Sequence, residues 1–217
     1  MPLRNGLPMI PAKAALKLLR DGNERFASDA PSRETLTFHT HRSVSNAAQE
    51  PFAVILGCSD SRVPVEIVFD QGLGDLFVVR VAGNIVAPSL VGSVEFAAER
   101  FGTRLVVVLG HSGCGAIEAT LEAIQQPGES RSRNLASIVN RVRPSLEGLL
   151  TTPFMHDRSE LLRQAVRANI RASANHLRHG SQLIEELILK DGLLVIGAEY
   201  SLETGIVDFF DGMPKVP

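Results

Sequence analysis

Phe52-Ala-Val-Ile-Leu-Gly57, followed at once by Cys58-Ser-Asp60-Ser-Arg62, is a short apolar run that ends on a loop of ligand-type side chains. A run this brief, apolar at every position and β-branched at its centre, reads as a strand covered on both faces, which is the habit of parallel sheets. Leu76–Val81, Leu105–Leu109 and Leu193–Ile196 repeat the pattern. Helical periods lie among them at about 90–101, 114–126, 134–149 and 156–178, the last with Leu162, Val166, Asn169 and Leu177 on one face. Strands alternating with helices predict an α/β fold: a central, mostly parallel sheet flanked by helices.

Upstream, Ala12, Ala15, Leu16, Leu19 and Phe26 share one stripe of an amphipathic helix over 11–27, read as a packing arm. Residues 28–50, polar and carrying Pro31, read as a connection. Gln126–Arg133 and Thr151-Thr-Pro153 are breaks too short for domain linkers. One domain over 1–217 is expected, with the N-terminal helical arm and connection at 1–50 and the α/β core at 51–217.

The 22 basic and 24 acidic residues are mixed along the chain and leave a net charge of -2. No basic block offers itself to nucleic acid or an anionic membrane, so the expected partner is a small molecule. No run matches a membrane span or the core of a signal peptide, and the expected location is the cytoplasm. Two cysteines exclude a disulfide framework and favour metal binding or catalysis; a single disulfide between them is the other reading.

Cys58 follows one strand, while His111 and Cys114, in Gly110-His-Ser-Gly-Cys114, follow another. Carboxyl ends of adjacent parallel strands share a crevice, so two distant loops can deliver side chains to one point. Two thiolates and an imidazole suit zinc, and three protein ligands leave a fourth position for water or substrate, as catalytic sites do. Asp60 and Arg62, two residues apart on the Cys58 loop, make a carboxylate–guanidinium pair. Paired, Asp60 stays ionised and can orient metal-bound hydroxide; unpaired, it could occupy the fourth position itself.

Taken singly these residues are ordinary. A free cysteine is commonly a small buried hydrophobe, and an exposed Asp–Arg pair contributes about 1 kcal/mol. His39 and His41 titrate near neutrality and could carry protons, although surface residues are the plainer reading. Gly110–Cys114 lacks the final glycine of a nucleophile elbow, and Gln71-Gly-Leu-Gly-Asp75 lacks the spacing of a nucleotide loop.

Cys58-Ser-Asp-Ser-Arg62 with His111-Ser-Gly-Cys114 resembles the paired signature of the β-class carbonic anhydrases. Asp21-Gly-Asn-Glu-Arg-Phe26, Val79-Arg-Val-Ala-Gly-Asn84 and Gly197-Ala-Glu-Tyr-Ser201 extend the resemblance over nearly the whole chain. It implies reversible hydration of carbon dioxide to bicarbonate and a proton, a lyase reaction, by attack of zinc-bound hydroxide. One Zn2+ per chain would sit on Cys58, His111 and Cys114, with Asp60 and Arg62 as the catalytic dyad that gates the fourth position. Gln49, Phe77 and Gly115 are implied as substrate-binding residues, whereas Phe96 and Ala82 replace a Tyr and a Val of plant-like members. Arg80 and Tyr200 fit two places of a noncatalytic bicarbonate pocket whose third place, a Trp, is Ile55 here. The resemblance further implies a homodimer or a multiple of dimers, with the N-terminal arm packing on the dimer partner.

Two rivals remain at this stage: turnover of a sulfur analogue of carbon dioxide, and a zinc protein whose fourth position Asp60 fills permanently. The reference case for metal-acidified water, a pKa of about 7, is itself a carbonic anhydrase, one with three histidine ligands. Two thiolates cancel the charge of the ion, so acidification is weaker and catalysis is expected to favour alkaline pH. A hydration rate that stays flat down to about pH 6 would remove this expectation.

Overall fold

A computed structural model describes residues 9–32, 49–126 and 132–214. Helix α1 (Ala12–Ala27) precedes strand β1 (Ala53–Gly57), the single turn α2 (Val65–Val68) and β2 (Leu76–Arg80). Then come α3 (Pro88–Arg100), β3 (Leu105–His111), α4 (Gly115–Gln125) and α5 (Arg133–Leu146). Two 3-10 turns at Glu147–Thr151 and Pro153–His156 lead into α6 (Arg158–His179), α7 (Gln182–Asp191), β4 (Leu194–Tyr200) and β5 (Val207–Asp211). His39, His41 and residues 127–131 of the loop before Arg133 lie outside the described residues.

The helix ends follow from local chemistry. Pro88 opens α3, where its missing N–H is no loss. The side chains of Ser132, Asp157 and Ser181 accept hydrogen bonds from first-turn amides of α5, α6 and α7, and Gly192 ends α7 in the left-handed conformation. Among the described residues, no helix is long and apolar enough to cross a membrane.

Sheet order is β2-β1-β3-β4-β5. The first four strands run parallel, and β5 returns antiparallel to β4. Val54, Leu56, Val106, Val108 and Val195 project from one face into a core shared with α3–α7. Ala53, Ile55, Leu105, Val107, Leu109 and Ile196 project from the other, into a core closed by α1 and α2. The mostly parallel sheet flanked by helices is therefore the architecture found. Three labelled elements are additions to the expectation: the single turn α2, helix α7, placed between the helix at 156–178 and the last expected strand, and the edge strand β5.

The apolar stripe of α1, with Ala12, Ala15, Leu16 and Leu19 buried, packs on the chain's own sheet. The Asp21–Phe26 motif explains how tightly. A Cβ on Gly22 would stand 1.8 Å from the carbonyl oxygen of Phe69. Asn23 donates to the carbonyls of Val68 and Gly205, at 3.1 and 2.8 Å, and accepts from the Val207 amide at 2.8 Å. Arg25 pairs with the buried Asp70 carboxylate, and the Phe26 ring leans on Tyr200.

Replacing a helix-interior glycine by alanine ordinarily stabilises by up to about 1 kcal/mol. Gly22→Ala is expected to reverse that sign, because the neighbour it meets is backbone, and to cost about 3 kcal/mol in urea-induced unfolding. A stability gain in that variant would show that α1 does not lie against Phe69.

Candidate metal centre

Register brings the site together. Gly57 at the end of β1 pairs with Leu109 of β3 on one side and with Arg80 of β2 on the other. Cys58 therefore leaves the sheet beside Gly110, and His111 closes β3 immediately after. The tight turn Ser112-Gly113 then returns the chain so that Cys114 caps α4, with the amides of Ile117 and Ala116 near its sulfur. Positive charge at a helix N-terminus favours a thiolate there.

Cys58, His111 and Cys114 are all buried, and their ligand atoms lie within 4.8 Å of one another. The sulfurs stand 3.9 Å apart. That is far beyond a disulfide bond of about 2.05 Å, and both cysteines are free. It does match the separation of about 3.8 Å that two thiolates adopt on one tetrahedral zinc at about 2.3 Å each. The His111 Nδ1–H donates to the Ser112 carbonyl at 2.9 Å, so the lone pair sits on Nε2. Nε2 is buried and has no hydrogen-bond partner among the described residues. Two soft sulfurs and one orphaned imidazole nitrogen, converging and oriented, fit a zinc-type ion.

Electrostatics within the cluster point the same way. The hydrogen bond shared with Cys114 is the largest influence lowering the Cys58 pKa, against its burial, with His111 and the Gly83 amide assisting. Cys114 is pushed up, first by that same bond and then by burial. One proton is thus held between two sulfurs, and a bound dication would release it. Burial pulls the His111 pKa down, but the adjacent Cys58 outweighs it and the net shift is upward.

Asp60 and Arg62 form the expected pair. The Asp60 Oδ1 accepts from the Arg62 amide at 3.0 Å and from Nε at 2.9 Å, and Oδ2 accepts from Nη2 at 2.7 Å. This two-pronged hold keeps Asp60 well below the usual carboxylate range. Its Oδ2 still lies 3.9 Å from the His111 Nε2, at the edge of the cluster.

Sequence reasoning left three supporting groups without this role. Arg80 donates from Nε to the Cys58 carbonyl at 3.0 Å and from Nη2 to the Asp60 carbonyl at 2.6 Å, so it clasps the ligand loop from β2. Its pairing opposite Gly57 is the signal that could have found it. Gly83, with φ of 70°, turns its amide onto the Cys58 sulfur at 3.4 Å, and Asn169 of α6 holds the Gly83 carbonyl at 2.8 Å. Tyr200 is buried beside His111 in the β3–β4 register.

Gly115 opens α4 directly after Cys114, and a Cβ there would meet nothing within 4 Å. Gln49 and Phe77 are placed otherwise. Gln49 precedes β1 and lies by Gly74, while Phe77 pairs with Val54 and packs on Phe96 and Phe101. Both stand toward the amino end of the sheet: at about 3.3 Å per residue, Phe77 lies roughly 13 Å along the strands from Cys58 and Gln49 roughly 20 Å or more.

The family model for carbonic anhydrase matches residues 53–207. Carbonic anhydrase 2 of Mycobacterium tuberculosis is 38% identical over 197 residues, covering 88% of this chain and 89% of that protein. The crystal structure of the β-carbonic anhydrase CafA of Aspergillus fumigatus superimposes with a TM-score of 0.70 at 25% identity, over 94% of this chain and 92% of that one. One of two tetrameric β-carbonic anhydrases from Sordaria macrospora shares the fold, with a TM-score of 0.68 at 23% identity over 88% and 93% of the two chains. With a Cys-His-Cys cluster at the carboxyl edge of a matching sheet and relatives of this extent, the chain belongs to the β-class carbonic anhydrases and is an enzyme of that family.

Proposed function

We propose that the chain catalyses the reversible hydration of carbon dioxide to bicarbonate and a proton, with one zinc ion on Cys58, His111 and Cys114. The observation that carries this reading is the sulfur pair at 3.9 Å converging with an unpartnered imidazole nitrogen. A bound zinc ion would supply a Lewis acid that lowers the pKa of water, less strongly here than beside neutral imidazoles alone.

The chain's own residues do the rest. Cys58, His111 and Cys114 fix the ion's position on the carboxyl edge of the sheet, with Arg80 and the Gly83 amide steadying the Cys58 loop. Asp60, kept ionised by Arg62, is a pure acceptor and takes a hydrogen bond from the attacking oxygen, turning its lone pair toward carbon dioxide. Both Asp60 oxygens are engaged by Arg62, a hold that would keep the carboxylate from closing onto a bound ion. That pairing favours the catalytic reading over a permanently closed zinc site. The bare Cα of Gly115 leaves open the approach beside Cys114.

We further propose that the protein works as a homo-oligomer, a dimer or a multiple of dimers, in which Gln49 and Phe77 line a neighbouring subunit's substrate site. Their distance from the cluster in their own chain supports this, as does the half-exposed ring of Phe96 beside Phe77. So does the tetrameric assembly of the Sordaria macrospora relative.

Cys58→Ser is expected to lose zinc and hydration activity together, by metal analysis and stopped-flow assay. Asp60→Asn should keep one zinc per chain and lose about 100-fold in rate. Zinc-loaded wild type without hydration activity would leave a structural metal site as the correct reading. In sedimentation velocity the active species should weigh at least two chains, and an active monomer would refute the shared-site arrangement.

A further inference from the structure

Among the described residues, the imidazole of His111 makes one hydrogen bond that aims its ring, from Nδ1 to the Ser112 carbonyl. A peptide carbonyl is only as fixed as the residue that carries it, and Ser112 lies in the tight turn between two metal ligands. Three bonds fasten Ser112 to the end of β4 and the turn that follows it. Its amide donates to the Tyr200 carbonyl at 3.0 Å, its hydroxyl accepts from the Leu202 amide at 3.0 Å, and that hydroxyl donates to the Glu203 Oε2 at 2.9 Å.

Glu203 gives the latch its direction. A hydroxyl offers one proton, and the carboxylate claims it, so the oxygen's lone pairs face the Leu202 amide. The Ser201 hydroxyl donates to the same Oε2 at 3.0 Å and accepts from the Thr204 amide at 3.1 Å. The turn is tied in its own right to the buried Asn23 through the Gly205 carbonyl. The Ser112 and Ser201 hydroxyls are the side chains that the Glu203 carboxylate binds among the described residues, and the Arg62 charge adds only a weaker attraction.

We propose that Ser112 and Glu203 are positioning residues that latch the His111–Cys114 loop to the β4–β5 turn and so set the affinity and geometry of the metal centre. The inference rests on the zinc reading above, yet neither residue touches the ion or the substrate. Partners that orient a ligating histidine commonly change metal affinity by about 10- to 100-fold, and a partially exposed latch belongs at the lower end.

The test uses the full chain and its Ser112→Ala, Glu203→Ala and Glu203→Gln variants. Zinc affinity is read by competition with a chromophoric chelator, ligand geometry by the visible spectrum of the cobalt(II)-loaded proteins, and scaffold integrity by thermal unfolding of the zinc-free proteins. Ser112→Ala and Glu203→Ala should bind zinc about tenfold more weakly and shift the cobalt bands, with the zinc-free unfolding midpoint unchanged. Glu203→Gln, which keeps the acceptor oxygen, should restore both signals. Wild-type affinity and spectra in Ser112→Ala and Glu203→Ala together would overturn the latch, as would a loss matched by zinc-free destabilisation. A wild-type chain that takes up no zinc would instead overturn the metal-centre reading on which the latch depends.

Discussion

Parallel pairing of β1 with β3, Gly57 against Leu109, is the constraint on which the rest of the molecule depends. Slipping that register by one residue would turn the side chains of β1 to the opposite faces and carry Cys58 away from His111. Both faces resist the slip. Val54 and Leu56 fit among the helices α3–α7, while Ala53 and Ile55 fit under α1 and α2. Burying the strands and assembling the cluster are thus one act, since Cys58 directly follows β1 and His111 closes β3.

What the sheet delivers, neighbouring loops hold. Arg80 fastens the Cys58 loop from β2, and Gly83, itself held by Asn169 of α6, places an amide on the sulfur. Buried thiolates and an imidazole without such partners would be costly. Here each ligand meets a donor, an acceptor or a helix terminus before an ion is considered. The Asp60–Arg62 pair sits outside this shell, exposed enough to meet solvent and near enough to act on what enters.

Much of this was legible in the chain itself, for definite reasons. Four strands announced themselves because burial on both faces forces unbroken apolar runs, and helices such as 156–178 carry a clear 3.6-residue period. Val207-Asp-Phe-Phe-Asp211 gave no such signal: it is an edge strand whose pairing with β4 is decided by tertiary contact. Helix α7 had its Ser181 cap and Gly192 stop in plain view, but ten residues with a half-exposed face make a weak period. The residues of the candidate metal centre were readable because Cys58 directly follows β1 while His111 and Cys114 stand at and just beyond the end of β3. The clasp by Arg80 was not, because it depends on register across β1 and β2. For Gln49 and Phe77, geometry within one chain explains why resemblance and position diverge.

The chain has no tryptophan, and Tyr200 is its single tyrosine. That phenol is buried and aligned with His111 across β3 and β4, with Phe26 of α1 against its ring. Intrinsic ultraviolet emission beyond the phenylalanine band therefore originates from one spot, on the strand neighbouring the imidazole ligand. The protein carries a built-in optical probe of the junction between its first helix and its metal centre, free of background from any other fluorophore.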